Sequence, residues 1–291
     1  MTVKRTYRVA GHVFSLSFDS EGGLSGSLDN YEPFSLDGGG DELFSLEVVP
    51  EIDVSGKKAL YLSNPEDMEQ RIDVYSIDGG YLFELSPTSQ SHVSGRLKVN
   101  EDFSAGSLSA ESEEVFCVNN SLMLMYAFRT VGLDTLEIHA SCVVKDGKGF
   151  LFLGKSGTGK STHSRLWLRN IPGSRLLNDD NPVIRIVDGT PRVFGTPWSG
   201  KTPCYIARDF PVGAIVRINQ APRNAIRRMD VVEAFASLYS SSSGLRSVPG
   251  VADGLFATVS SVVQSVPCHI LDCLPDNEAA FVCSKEVLGH E

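Results

Sequence analysis

No stretch of this sequence approaches the roughly 18 consecutive apolar residues of a membrane span, so no membrane partner is expected. No Lys/Arg cluster is longer than a dipeptide, and the formal net charge is −10, which speaks against a nucleic-acid footprint. The start, Met1-Thr2-Val3-Lys4-Arg5, is charged and lacks the apolar core of a signal peptide, so a cytoplasmic protein is expected. Six cysteines occur and none stands in C-x-x-C spacing. They read as reduced thiols rather than a disulfide framework or a zinc site. There is no N-K-x-D guanine-reading motif, which argues against a GTPase switch, and no internal repeat.

What is present is ordinary globular composition: 291 residues, 42% hydrophobic and 21% charged, a length that suggests about two domains. The first 115 or so residues read as β-rich. Phe14, Leu16 and Phe18 alternate with Ser15 and Ser17, the period of a half-buried strand. Similar runs cover 43–49, 72–77, 81–85 and 95–99, with turn-forming pieces such as Asp78-Gly79-Gly80 between them. An antiparallel sheet is expected there, with no catalytic constellation. A helix over 119–129 leads into the second domain, placing the expected boundary at 118/119.

Strands are then expected at 136–144 and 149–153, joined by a turn over 145–148, and further on at 175–177, 183–187, 193–195, 213–218 and 269–271. Asp230 and Glu233 have the spacing of a capping box that starts a helix. Helices over 251–263 and from Asn277 complete the pattern. The expected class is α/β (α+β overall), a P-loop catalytic domain with a mixed sheet at 119–291 after a β-rich domain at 1–118.

The segment that carries chemistry is Gly154-Lys155-Ser156-Gly157-Thr158-Gly159-Lys160-Ser161, directly after the apolar run Phe150-Leu151-Phe152-Leu153. It matches G-x-x-x-x-G-K-[ST] between a buried strand and a helix, the context that the phosphate-binding loop requires. Its glycines allow backbone conformations that a β-carbon forbids, so successive N–H groups can turn inward around a phosphate at the positive end of the following helix. Lys160 is placed to reach the β/γ-phosphates and the Ser161 hydroxyl to ligate Mg²⁺. Residues 154–162, ending in Thr162, are the expected nucleotide contacts.

A P-loop alone names no reaction. About twenty residues past Lys160, the short apolar strand Leu176-Leu177 ends in Asn178-Asp179-Asp180. Paired carboxylates at that place suit a division of labour: one holds the metal, and the other, raised in pKa by its neighbour, takes a proton from an attacking hydroxyl.

These pieces, with Ile138-His139-Ala140-Ser141 ahead of them, occur in the order and at closely the spacing found in the catalytic domain of HPr kinase/phosphorylase. The resemblance covers about residues 134 to 275 and not the N-terminal 115. It implies the nucleotide fold shared with phosphoenolpyruvate carboxykinase, with ATP and Mg²⁺ as cofactors. It implies that Lys160 binds phosphate and Ser161 ligates metal. One of Asp179 and Asp180 accepts the hydroxyl proton and the other holds metal; we take Asp179 as catalytic and Asp180 as metal ligand. His139 then orients and biases the proton-accepting carboxylate. HPr kinases form oligomers, so a homo-oligomer is the matching expectation.

The chain departs from the family at the substrate loop. Here it reads Gly195-Thr196-Pro197-Trp198-Ser199-Gly200-Lys201-Thr202-Pro203-Cys204-Tyr205, so the HPr substrate does not carry over. Lys201 supplies a second cation suited to a transferring phosphoryl group. Trp198 and Tyr205 either face a substrate ring or pack in the core. Arg223, Arg227 and Arg228 either reach a phosphate or form an exposed positive edge.

The expected activity is an ATP-dependent phosphotransferase acting on a hydroxyl, on a protein or peptide serine or a small metabolite, with the β-rich domain recognising the acceptor. The alternatives are a non-catalytic nucleotide sensor, a bifunctional kinase/phosphorylase and, disfavoured by length, a phosphoenolpyruvate carboxykinase-type enzyme.

Overall fold

The structure, a computed structural model, describes residues 1–20, 23–64, 70–88, 92–200 and 202–289. It is a mixed α/β chain with two sheets, divided into units Met1–Arg129 and Thr130–Glu291.

The first unit contains β1 (Thr2–Val9), β2 (His12–Asp19), β3 (Glu42–Val48), β4 (Lys58–Tyr61), β5 (Arg71–Ile77), β6 (Gly80–Ser86), β7 (Gly95–Asn100) and β8 (Ala105–Ala110). They form one sheet in the order β1-β2-β3-β8-β7-β6-β5-β4. The sequence pattern points to an antiparallel sheet, but the sheet is mixed: β3 runs parallel to both β2 and β8. The chain between β2 and β3 is too long for a hairpin and carries two short 3₁₀ turns, so β3 can return in the same direction as β2. Strands β4 and β8 escaped the sequence pattern because neither alternates apolar and polar residues; β4 is exposed throughout and β8 has Leu108 as its single large apolar residue.

Helix α1 (Glu114–Thr130) covers this sheet. The Tyr126 hydroxyl donates to Val9 O at 3.1 Å, and Phe128 meets the Phe103 ring edge-on at 5.2 Å. The approach is so close that a β-carbon on Gly106 would lie 2.6 Å from Met125 Sδ. The helix therefore belongs with the first sheet, and the boundary lies at 129/130 rather than at 118/119.

The second unit contains β9 (Thr135–Glu137), β10 (Ala140–Lys145), β11 (Lys148–Leu153), α2 (Lys160–Asn170), β12 (Arg175–Asn178), β13 (Val183–Val187), β14 (Thr190–Phe194), β15 (Asp209–Gln220), β16 (Ala225–Arg228), α3 (Val231–Ser241), α4 (Pro249–Ser265), β17 (Cys268–Cys273) and α5 (Asn277–Leu288). Its sheet runs β12-β10-β11-β15-β14-β13-β9, with β17 on β15 and β16 on β17. The long β15 serves two neighbourhoods. Its first residues pair with β14, and the remainder lies parallel to β11 and β17.

Successive side chains on β11 face opposite helical layers, and those two apart share one. Phe150 and Phe152 pack with Leu166 and Trp167 of α2 and with Ala280 and Cys283 of α5. On the other face Arg217 donates to Ser237 Oγ of α3 at 3.3 Å, and Phe235 of α3 meets Phe256 of α4 at 5.2 Å. Burial on both sides explains why β11 reads as a continuous apolar run. Helix α3 begins at the expected capping box: Glu233 N donates to Asp230 Oδ1, and Asp230 N to Glu233 Oε2. Among the described residues, no helix is long and apolar enough to cross a membrane.

The strand expected over 136–144 is broken at Ile138-His139. Strand β9 pairs with β13, whereas β10 pairs with β11 and β12. At the break the backbone leaves both ladders: Ile138 N donates to Pro182 O at 3.0 Å and His139 N to Ser241 O at 2.8 Å.

Candidate active site

Strand register brings three distant segments to one sheet edge. Ala140, the first residue of β10, lies opposite Leu153, the last of β11, and Cys142 lies opposite Asn178, the last of β12. The loop leaving β11, the break holding His139 and the carboxylates following β12 therefore meet. None of the three is close to another in sequence.

The phosphate loop curls as its residue types require. Gly157 and Gly159 take φ values of 77° and 102°, in the left-handed region that favours glycine. Between them Thr158 closes a turn, its hydroxyl donating to Lys155 O at 2.8 Å. Lys155 and Ser156 are exposed, Ser161 lies in the first turn of α2, and Thr162 follows it on an exposed face. Lys160 is folded back and buried, donating to Gly154 O at 3.0 Å and to His139 Nε2 at 2.8 Å.

An ammonium can only donate, so His139 Nε2 accepts and Nδ1 carries the ring hydrogen. That Nδ1 lies 3.3 Å from Asp180 Oδ1. Lys160, His139 and Asp180 thus form one polar chain from the phosphate loop to a carboxylate. Burial raises the Asp180 carboxyl above the ordinary range; His139 and Lys160 draw it partly back, and Asp179 adds to the rise.

Asp179 has different surroundings. It is buried, and its Oδ1 accepts from Ser141 Oγ at 2.8 Å. Ser141 Oγ lies 2.5 Å from Ser164 Oγ of α2, and since its own hydrogen goes to Asp179, Ser164 donates in that pair. The imidazole therefore sits on Asp180, whereas the sequence reading had it bias the proton acceptor and took that acceptor to be Asp179.

No family model matches this sequence, and no curated protein matches it. A solved structure does. The HPr(Ser) kinase/phosphatase from Coxiella burnetii is 12% identical over 53% of this chain and 95% of its own, with a TM-score of 0.32. An overlap that loose leaves the chemistry to be argued from the geometry above.

Several residues that shape the site carry no motif. Asn178 is fully buried, and its Oδ1 accepts from the backbone N–H groups of Asp180 and Asn181, both at 2.9 Å. Its Nδ2 donates to Thr196 Oγ1 at 3.0 Å and to Trp198 O at 3.2 Å. One amide thereby sets the turn that presents both carboxylates and ties it to the 195–205 loop. Gly200 of that loop passes so close that a β-carbon there would lie 3.2 Å from Asp180 Cβ. Gln220, at the end of β15, donates to Gly157 O at 3.2 Å and braces the phosphate loop. Asn178 and Gly200 stand in segments that the sequence marks, but period and composition do not reveal these contacts, and they pass over Gln220 altogether.

Glu137 is another such residue. It is 1% exposed, and neither carboxylate oxygen has a hydrogen-bond partner of normal geometry among the described residues. Burial pushes its carboxyl up to about 7; the nearby Ser243 side chain opposes the rise, and Asp180 adds to it. Nothing in its sequence position marks it as buried, because its partner β13 lies more than forty residues away.

Other expected residues fall elsewhere. Lys201 lies outside the described residues. Arg227 is engaged by Glu233 through two hydrogen bonds of 2.8 and 2.7 Å. Trp198 is buried, as core packing demands, and Tyr205 is half-buried. All six cysteines are free, and burial raises every thiol, Cys204 of the 195–205 loop to about 11.

Among the described residues, no three His, Cys, Asp or Glu side chains are grouped to hold a metal by themselves. Mg²⁺ asks less of a protein, often one or two carboxylates together with phosphate oxygens and waters. Asp179, which has a second carboxylate oxygen besides the one bonded to Ser141, and the Ser161 hydroxyl offer hard donors that fit this need.

Proposed function

We propose that this chain is an ATP-dependent kinase that moves the γ-phosphoryl group to a hydroxyl on a peptide, protein or small metabolite. The observation that carries the reading is the chain from Lys160 Nζ through His139, 2.8 Å to Nε2 and 3.3 Å from Nδ1, to Asp180. It puts a carboxylate of raised proton affinity one imidazole away from the lysine of a phosphate loop.

The roles follow. Backbone N–H groups of residues 154–161 and the Lys160 ammonium hold the β- and γ-phosphates. Asp180, oriented by His139, accepts the hydroxyl proton as the hydroxyl oxygen bonds to the γ-phosphorus and the bond to the β-phosphate oxygen breaks, releasing ADP. Asp179 and Ser161 hold Mg²⁺, which when bound neutralises charge on the phosphates. This reverses the roles expected for the two aspartates, and the position of His139 is the reason. A phosphoenolpyruvate carboxykinase-like nucleotide fold and acceptor recognition by the first unit complete the proposal.

The test is transfer from γ-labelled ATP with Mg²⁺ into cell lysate separated by size, alongside Lys160→Ala and Asp180→Asn. Label in the large fraction marks a protein or peptide acceptor, and label in the small fraction a metabolite. Removing a general base should cost about 100-fold or more in rate, so Asp180→Asn should retain ATP binding while losing transfer. If ATP binds and neither fraction is labelled, the chain is a nucleotide sensor and the kinase reading fails.

A further inference from the structure

The phosphate loop has two flanks. On one lie β10 and β12 with His139, Asp179 and Asp180; on the other lie β15 and β17, parallel to β11 and ending beside the loop. A cavity of about 370 Å³ opens on this second flank. It is continuous with the loop, since Gly157, Thr158 and Gly159 form one wall. Thr162 and Leu166 of α2 form another, and Ile218, Ala221, Leu274 and Pro275 close it from the strand ends. Gln220 stands at the junction, in the cavity lining and bonded to Gly157 O at 3.2 Å.

We infer that this cavity holds the adenine nucleoside of the bound nucleotide, with its phosphates running from there across the loop toward Asp180. The inference rests on the reading of 154–161 as a nucleotide loop. Three observations carry it. The cavity lies outside the carboxyl ends of parallel strands, where ligands of open α/β sheets bind. From β12 to β17 is four strand spacings at about 4.8 Å each, a span that accommodates a nucleotide laid across the edge. Its walls are mostly apolar, and its size is within the usual range for a small-molecule site, at the lower end of roughly 300–1,000 Å³.

The same walls select the base. Among the described residues, no carboxylate lines the cavity to receive the N–H groups of guanine. Gln220 gives one amide N–H to the loop, which leaves its carbonyl oxygen as an acceptor and its second N–H as a donor. That pair of groups matches the adenine edge, whose amino group donates and whose neighbouring ring nitrogen accepts, while guanine's N–H groups find no carboxylate among the described lining residues.

The test is equilibrium binding to the full chain, with Mg²⁺, of ATP, GTP and tripolyphosphate; the last keeps three phosphates and lacks the nucleoside. The expected result is ATP tighter than either competitor by about tenfold or more. Ala221→Trp should erase that margin by filling the cavity, with tripolyphosphate affinity unchanged within about twofold. Leu274→Trp fills the cavity from the opposite wall and stands in should the first variant fold poorly. Wild-type protein that binds ATP and tripolyphosphate equally, or a margin kept by both folded variants, overturns the inference while the loop reading stands. Binding of neither ligand overturns both. Tight, adenine-selective binding without transfer supports the cavity and refutes the kinase.

Discussion

Replacing Glu137 by Gln should change how the second unit's stability depends on pH. Glu137 is 1% exposed at the end of β9, opposite Val183 of β13, and its oxygens lack a well-placed partner among the described residues. Its carboxyl rises from an ordinary 4.5 to about 7 on folding, chiefly because burial disfavours the charged form. Between those values the native chain holds a proton that the unfolded chain has released. Stability therefore falls as pH rises through that window, and the favourable contribution is complete only below about 4.5. At about 1.4 kcal/mol for each tenfold change in proton affinity, the whole effect is about 3 kcal/mol.

Glu137→Gln keeps the shape and cannot ionise. It should match wild type near pH 5, within about 1 kcal/mol, and exceed it by about 3 kcal/mol near pH 8. Urea unfolding followed by tryptophan fluorescence reads the correct unit, because the two tryptophans, Trp167 and Trp198, both lie in it and both are buried. Parallel stability profiles for the two proteins between pH 5 and pH 8 would refute the reasoning, since they would mean that Glu137 titrates alike in both states.

Two further outcomes are expected. His139→Gln should retain ATP binding but move the acid limb of the transfer-rate profile to higher pH, because the imidazole and Lys160 draw Asp180 downward against the rise from burial. The transfer rate measured from about pH 5 to 9 checks this, and an unmoved limb would separate His139 from the proton acceptor. Gly80→Ala should destabilise the first unit by about 1–3 kcal/mol or more, measured by urea unfolding followed by far-ultraviolet circular dichroism. The new β-carbon would fall 1.9 Å from Val99 O, and that backbone atom cannot move aside without parting β6 from β7.

The parts legible in the sequence are those whose cause is local. Eight contiguous residues after a buried strand specify the phosphate loop, because glycine conformations and a helix N-terminus act within the segment itself. The capping box at Asp230 and Glu233 is readable for the same reason: donor and acceptor lie three residues apart. Helix α1 was visible as a periodic run, but its allegiance was not, since only contacts such as Tyr126 to Val9 assign it to the first sheet.

The site beyond the loop was decided by tertiary structure. Both aspartates were visible, but which of them meets the imidazole depends on the turn that Asn178 imposes and on how β10 registers between β11 and β12. The break at Ile138-His139 was hidden inside a segment that reads as one strand, because its cause is a pair of backbone acceptors at Pro182 and Ser241. Burial of Glu137 and the brace from Gln220 have the same origin in strand pairing across long loops. Composition and period report what a segment prefers, whereas register and burial report which distant segment it meets.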